Sequence, residues 1–102
     1  MDVDYRVTIF WGEDRTRPGN VDVEVSLADD SRWSATFFTP PNIDALFAKN
    51  RVTGECGRGL YFYSVNMVIV EQLDQGSIEK TVAALLEKGD FRSAFGRLQE
   101  GE

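Results

Sequence analysis

Val21-Asp22-Val23-Glu24-Val25-Ser26-Leu27 alternates apolar and polar residues without a fault. Side chains leave a strand on opposite sides with a period of two, so this stretch reads as a strand with one buried face and one wet face. Upstream, Val3, Tyr5, Val7, Ile9 and Trp11 alternate with Asp4, Arg6 and Thr8 in the same way. Residues 12–19 between them (GEDRTRPG) carry turn chemistry. Downstream, Ala28-Asp29-Asp30-Ser31 is a polar turn, and Trp33, Ala35 and Phe37 open a third strand. Three successive strands on short connections make an antiparallel meander.

Thr39-Pro40-Pro41-Asn42 marks a helix start, because proline is tolerated in the first turn and Thr39 or Asn42 can accept from its free N–H groups. Ile43, Leu46 and Phe47 follow at helical spacing as one apolar stripe, which ends by Gly54. Residues 54–59 (GECGRG) hold three glycines and read as a loop. Residues 60–71 are β-prone but twice as long as an average strand. Ser64-Val65-Asn66 interrupts them with a bend, bulge or tight hairpin, giving two strands. Asp74 caps a helix with the stripe Ile78, Val82, Leu85 and Leu86, closed by Lys88-Gly89. Asp90 caps a last short helix with Phe91, Phe95 and Leu98 on one side. The order β-β-β-α-β(-β)-α-α is an α+β domain. A mostly antiparallel sheet of four to five strands carries packed helices, in one globular unit over residues 1–102.

Apolar residues make up 42% of the chain, with seven Phe, three Tyr and two Trp, enough to fill a core without cross-links. Cys56 is the single cysteine, so no internal disulfide forms. Met1-Asp2-Val3-Asp4 is unlike a signal peptide, and no apolar run nears the roughly 20 residues of a membrane helix. The expectation is a reduced, soluble, cytoplasmic protein with no membrane partner. Eleven basic against seventeen acidic residues leave a net charge of −6. Such a field repels a phosphate backbone, which argues against nucleic acid, and favours a basic protein.

Histidine is absent, which removes Ser-His-Asp and Cys-His chemistry and His-based metal sites. A lone cysteine excludes a structural zinc cluster, and residues 54–59 lack the lysine and spacing of a phosphate loop. Asp29-Asp30 has no third carboxylate at a calcium-loop offset. Glu55 beside Cys56 blunts the thiolate, so that cysteine reads as incidental. Carboxylate pairs mean little among seventeen acids. A non-enzyme without catalytic residues, metal or cofactor is expected.

If the valine stripe faces the core and the registers are simple, Trp11 opposes Val21 and Leu27 opposes Trp33. The other face then holds Phe10, Asp22 and Phe38 in one row, Thr8, Glu24 and Thr36 in the next, and Arg6, Ser26 and Ser34 in the third, with Tyr61 or Tyr63 extending it. Either a helix covers this face and both phenylalanines are core, or the face is open and its acid-rimmed aromatics form a binding site. In the open case Phe10→Ala and Phe38→Ala abolish partner binding while stability stays within about 1 kcal/mol.

Several segments resemble a family of small, poorly characterised bacterial proteins: VTIFW at 7–11, ATFFT at 35–39 leading into Asn42-Ile43, TGEC at 53–56, YF at 61–62 and MVIV at 67–70. The resemblance covers most of the chain, but no one motif belongs to a known chemistry and no functional residue carries over. In size, acidity and lack of catalytic residues such proteins are loosely similar to the immunity proteins that neutralise bacterial toxins. The resemblance implies a basic toxin domain, such as a nuclease, as partner.

The leading expectation is therefore a protein-binding domain of immunity or antitoxin type, acting through Phe10, Asp22, Glu24, Phe38, Tyr61 and Tyr63. The alternative is a homo-oligomeric (for example dimeric) structural or adaptor module that pairs a sheet edge or the aromatic face with itself. An enzyme or small-molecule sensor comes third, and a deep pocket with convergent polar groups would favour it. The leading reading predicts affinity that falls as salt rises.

Overall fold

A computed structural model describes residues 4–12 and 19–99. The first three residues, residues 13–18 of the turn read at 12–19 and the last three residues lie outside them. The expected meander is present: β1 (Tyr5–Phe10), β2 (Val21–Leu27) and β3 (Arg32–Phe38) pair antiparallel in chain order. Helix α1 (Pro40–Thr53) follows, then a short turn α2 (Glu55–Gly59), strand β4 (Met67–Ile69), helices α3 (Gln75–Lys88) and α4 (Phe91–Ala94), and strand β5 (Gly96–Leu98). The result is an α+β fold on a five-stranded, mostly antiparallel sheet.

Alternation puts the odd-numbered side chains of β2 and β3 on one face, where Val23, Val25 and Phe37 are fully buried. Helix α3 lays Ile78 and Val82 onto them, with Leu85 and Leu86 at the margin. Its ends are closed as the sequence implies. The Asp74 carboxylate accepts from the Ser77 N–H at 2.7 Å. Gly89, at φ 82°, turns the chain out while the N–H of Asp90 reaches the Leu85 carbonyl at 3.0 Å. Phe91 and Phe95 finish the core, stacked on each other at 4.5 Å and edge-on to Trp33 and Phe37 at 5.6 and 6.0 Å.

The far edge of β3 is shared by two half-strands. β4 runs parallel beside Thr36, Phe37 and Phe38, and β5 runs antiparallel beside Arg32, Trp33 and Ser34. They meet at Asn66, whose left-handed φ of 54° turns the chain into β4 and whose carbonyl accepts from the Thr36 N–H at 3.0 Å. Gly96 and Asn66 pack closely there: a Cβ at Gly96 would lie 2.2 Å from Asn66 Nδ2, so any larger residue would displace the Asn66 side chain. Three sequence expectations are corrected here. Leu98 belongs to a strand and not to a final helix, because Phe95 is already extended and the helix stops at Ala94. Residues 60–71 give one short strand, not two. Residues 54–59 are not a plain loop: Cys56, Gly57 and Arg58 take left-handed φ/ψ values, wound against α1. Gly59 packs so closely there that a Cβ would come within 2.9 Å of the Phe47 carbonyl oxygen.

The fourth correction moves a candidate binding residue. Leu27 exchanges hydrogen bonds with Ser31 and Asp30, and Asp30 sits at φ 70°, a three-residue hairpin loop with a bulge. That turn is shorter than the simple one expected, so Asp22 faces Thr36 and not Phe38. The shift of two residues preserves every face but carries Phe38 one row past the Asp22 row. There it is 2% exposed, under the ring of Phe62 at 5.3 Å. Phe38→Ala is therefore expected to cost about 3 kcal/mol or more, while Phe10→Ala, at 55% exposure, stays under about 1 kcal/mol. Denaturant unfolding of both variants measures the contrast, and equal small losses would contradict it.

Candidate functional site

Helices α3 and α4 take one face of the sheet, and the even-numbered side chains of β1 to β3 make up the other. Its rows run Phe10–Asp22–Thr36, Thr8–Glu24–Ser34 and Arg6–Ser26–Arg32. Arg6, Thr8, Phe10 and Asp22 are exposed, and Glu24, Ser26, Ser34 and Thr36 are half-buried. Of the two arrangements left open by the sequence, this face is the open one over β1 and β2. Its acids are not idle. Asp22 accepts from the Thr36 hydroxyl at 2.9 Å, and Glu24 lies 3.7 Å from the Arg32 guanidinium. Such exposed pairs contribute only about 0–1 kcal/mol, so they leave the surface free to bind.

Apolar groups collect at one end of this face, where β1 ends, β2 begins and β3 meets β4. Phe10 stands there beside Asp22, and Ile69 of β4 stands beside Phe38, 53% exposed. Phe62 caps Phe38, and the residues on either side of it turn outward. Tyr61 and Tyr63 are 50% and 71% exposed and stack on each other, with ring centres 6.5 Å apart at 25°. Of the six residues expected to bind, five thus present surface to solvent, whereas Phe38 is buried against Phe62. Sequence reasoning missed Leu60, Val65 and Ile69, all exposed, because an apolar β-prone run reads as buried strand.

The opposite end of the sheet is basic. Arg6 and Arg32 lie in its last row, and the Arg92 guanidinium carbon sits 5.3 Å from the Trp33 ring centre. Trp33 Nε1 donates to the Ser31 hydroxyl at 2.9 Å, and that hydroxyl donates to Asp29. The Ser31 hydroxyl and N–H, helped by Arg97 and Arg92, hold the Asp29 carboxyl below the usual range. An open concavity of about 420 Å³ lies beside Ser31, Arg97, Leu98 and Gln99. The Ser31 hydroxyl in its lining is already committed on both sides, to Trp33 and to Asp29. Among the described residues no group of three or more acids and cysteines is placed to hold a metal, and no helix is long and apolar enough to cross a membrane.

No protein-family model matches the chain, and neither a curated protein nor a solved structure matches it.

Asp29 and Asp74 both have folded pKa values depressed by hydrogen bonds, to Ser31 and Ser77 respectively. Their contribution to stability is complete above the unfolded aspartate value of about 3.9 and is lost as pH falls through the lower folded values. Thermal melts across the acid range should show that loss, and Asp29→Asn with Asp74→Asn should flatten it. An unchanged acid limb in the double variant would show that neither carboxylate carries it.

Proposed function

We propose that this chain is a non-catalytic protein-binding domain that takes its partner on the aromatic end of the open sheet face. The observation that carries this reading is the exposed Tyr61–Tyr63 stack, held at the end of the sheet where Phe10 also stands in solvent. Aromatic side chains exposed to water beside a sheet add little to the stability of the monomer, whereas they are common anchors of protein interfaces. Phe10, Tyr61 and Tyr63 are the anchors, and Asp22 and Glu24 form the acidic rim. Phe38 acts beneath them as a packing residue.

The net charge of −6 favours a basic partner, as an immunity or antitoxin-type neutraliser of a basic toxin domain would require. Cytoplasmic residence fits a chain whose single cysteine forms no internal cross-link.

The test begins with the protein that co-purifies at low salt from the native host. Tyr61→Ser with Tyr63→Ser should weaken that complex by on the order of thirtyfold or more, since an interface anchor is worth about 2 kcal/mol. The melting temperature should hold, because both rings are exposed. Raising the salt should weaken the complex further. Affinity that survives the double substitution would place the interface elsewhere, and affinity indifferent to salt would remove the basic-partner half of the reading.

A further inference from the structure

The two edges of the sheet are built differently. One is divided between β4 and β5, three residues each and running in opposite directions, which leaves no long template for another strand. The other is β1, a six-residue strand with no proline, bonded to β2 alone among the described residues. Its outward groups can be located. Leu27 bonds to Ser31 across the hairpin, so the odd residues of β2 bond to β3 and its even residues bond to β1. Even residues of β1 therefore spend their backbone groups on β2. The N–H and C=O groups of Tyr5, Val7 and Ile9 point out of the sheet.

Those same residues mark an unfinished core. Their side chains lie on the covered face, yet Tyr5, Val7 and Ile9 are only half-buried, whereas Val21, Val23 and Val25 on the next strand are 2%, 0% and 0% exposed. We infer that β1 is the edge at which a second copy of this chain docks, the two strands pairing antiparallel about a two-fold axis through Thr8. The strand is self-complementary in that register. Thr8 meets its own counterpart, Val7 meets Ile9 of the second copy, and Arg6 meets Phe10. The Val7–Ile9 pairs fall at positions whose backbone groups are free to exchange hydrogen bonds. They also bring β-branched side chains together over the half-covered flank of the core. On the open face, each exposed Arg6 guanidinium comes over an exposed Phe10 ring, an electrostatically favourable contact. Moving the axis to Val7 would lose this, setting Arg6 against Thr8 and Phe10 against Asp4.

This dimer goes beyond partner binding and stands without it; of the three proposed anchors Phe10 alone is covered in it, and Tyr61 and Tyr63 stay free for the partner. Two-fold pairing of identical edges closes on itself, so it ends at a dimer and does not propagate.

The test is a cysteine placed on the axis. Residues facing each other at a non-hydrogen-bonded antiparallel position have Cα atoms about 4.5 Å apart. Disulfides span roughly 4.4–6.8 Å between Cα atoms. In a Cys56→Ser background, Thr8→Cys should cross-link to a covalent dimer with oxidised glutathione, much faster than Lys49→Cys on the exposed side of α1. Light scattering of the unmodified chain across a dilution series should show a monomer–dimer equilibrium. Thr8→Lys places like charges face to face at an exposed position and should weaken that equilibrium by on the order of tenfold or more, without lowering the melting temperature of the monomer. A monomer at every concentration would overturn the inference. So would cross-linking at Thr8→Cys no faster than at Lys49→Cys, or a dimer untouched by Thr8→Lys.

Discussion

The covered face of β2 and β3 is the constraint on which everything else rests. Val23, Val25, Phe37, Ile78 and Val82 are fully removed from water, and Trp33, Phe91 and Phe95 close the layer with ring contacts. Burying that apolar surface is the main favourable term in folding, and it acts at close-packed density. Because a strand has only two faces, filling one side with valines and aromatics delivers Asp22, Glu24, Ser34 and Thr36 to the other. With α3 and α4 both committed to the core face, that polar face is left open. The open face proposed for binding is thus a geometric consequence of how the core is made.

The end of the sheet that carries the aromatics has its own small cluster. Phe38 is the last residue of β3, and Phe62 seals it on the open side. With Phe62 held there, its neighbours Tyr61 and Tyr63 are turned outward and stack. A half-buried ring therefore sets the direction of two exposed ones. The left-handed turn at Cys56, Gly57 and Arg58 lies just before this segment. Left-handed backbone costs non-glycine residues roughly 1–2 kcal/mol each, so packing against α1 must offset the strain at Cys56 and Arg58.

Much of this was legible in the sequence. The valine alternation in β2, the Asp74 cap, the Lys88-Gly89 stop and the Thr39-Pro40-Pro41 start each depend on local chemistry, and each sits where local chemistry puts it. What was not legible depended on distant partners or on a single dihedral. The register of β3 turned on Asp30 adopting φ 70°, which relocated Phe38 from surface to interior. β5 is three residues long, too short for a period to show, and exists because β3 offers it a free edge. Residues 60–64 have the composition of a strand but no strand to pair with among the described residues, so propensity had nothing to act on. For the site, face membership could be read for all of Phe10, Asp22, Glu24 and Phe38, whereas exposure could not, since that needed to know which face the helices chose.

Hydroxyl-radical footprinting of the dilute chain, alone and in complex with its co-purifying partner, tests the central claim most directly. The account predicts fast labelling of Phe10, Tyr61 and Tyr63 in the free chain and their protection in the complex, with Phe38, Phe91 and Phe95 slow throughout. Slow labelling of the two tyrosines in the free chain, or labelling unchanged by the partner, would contradict it.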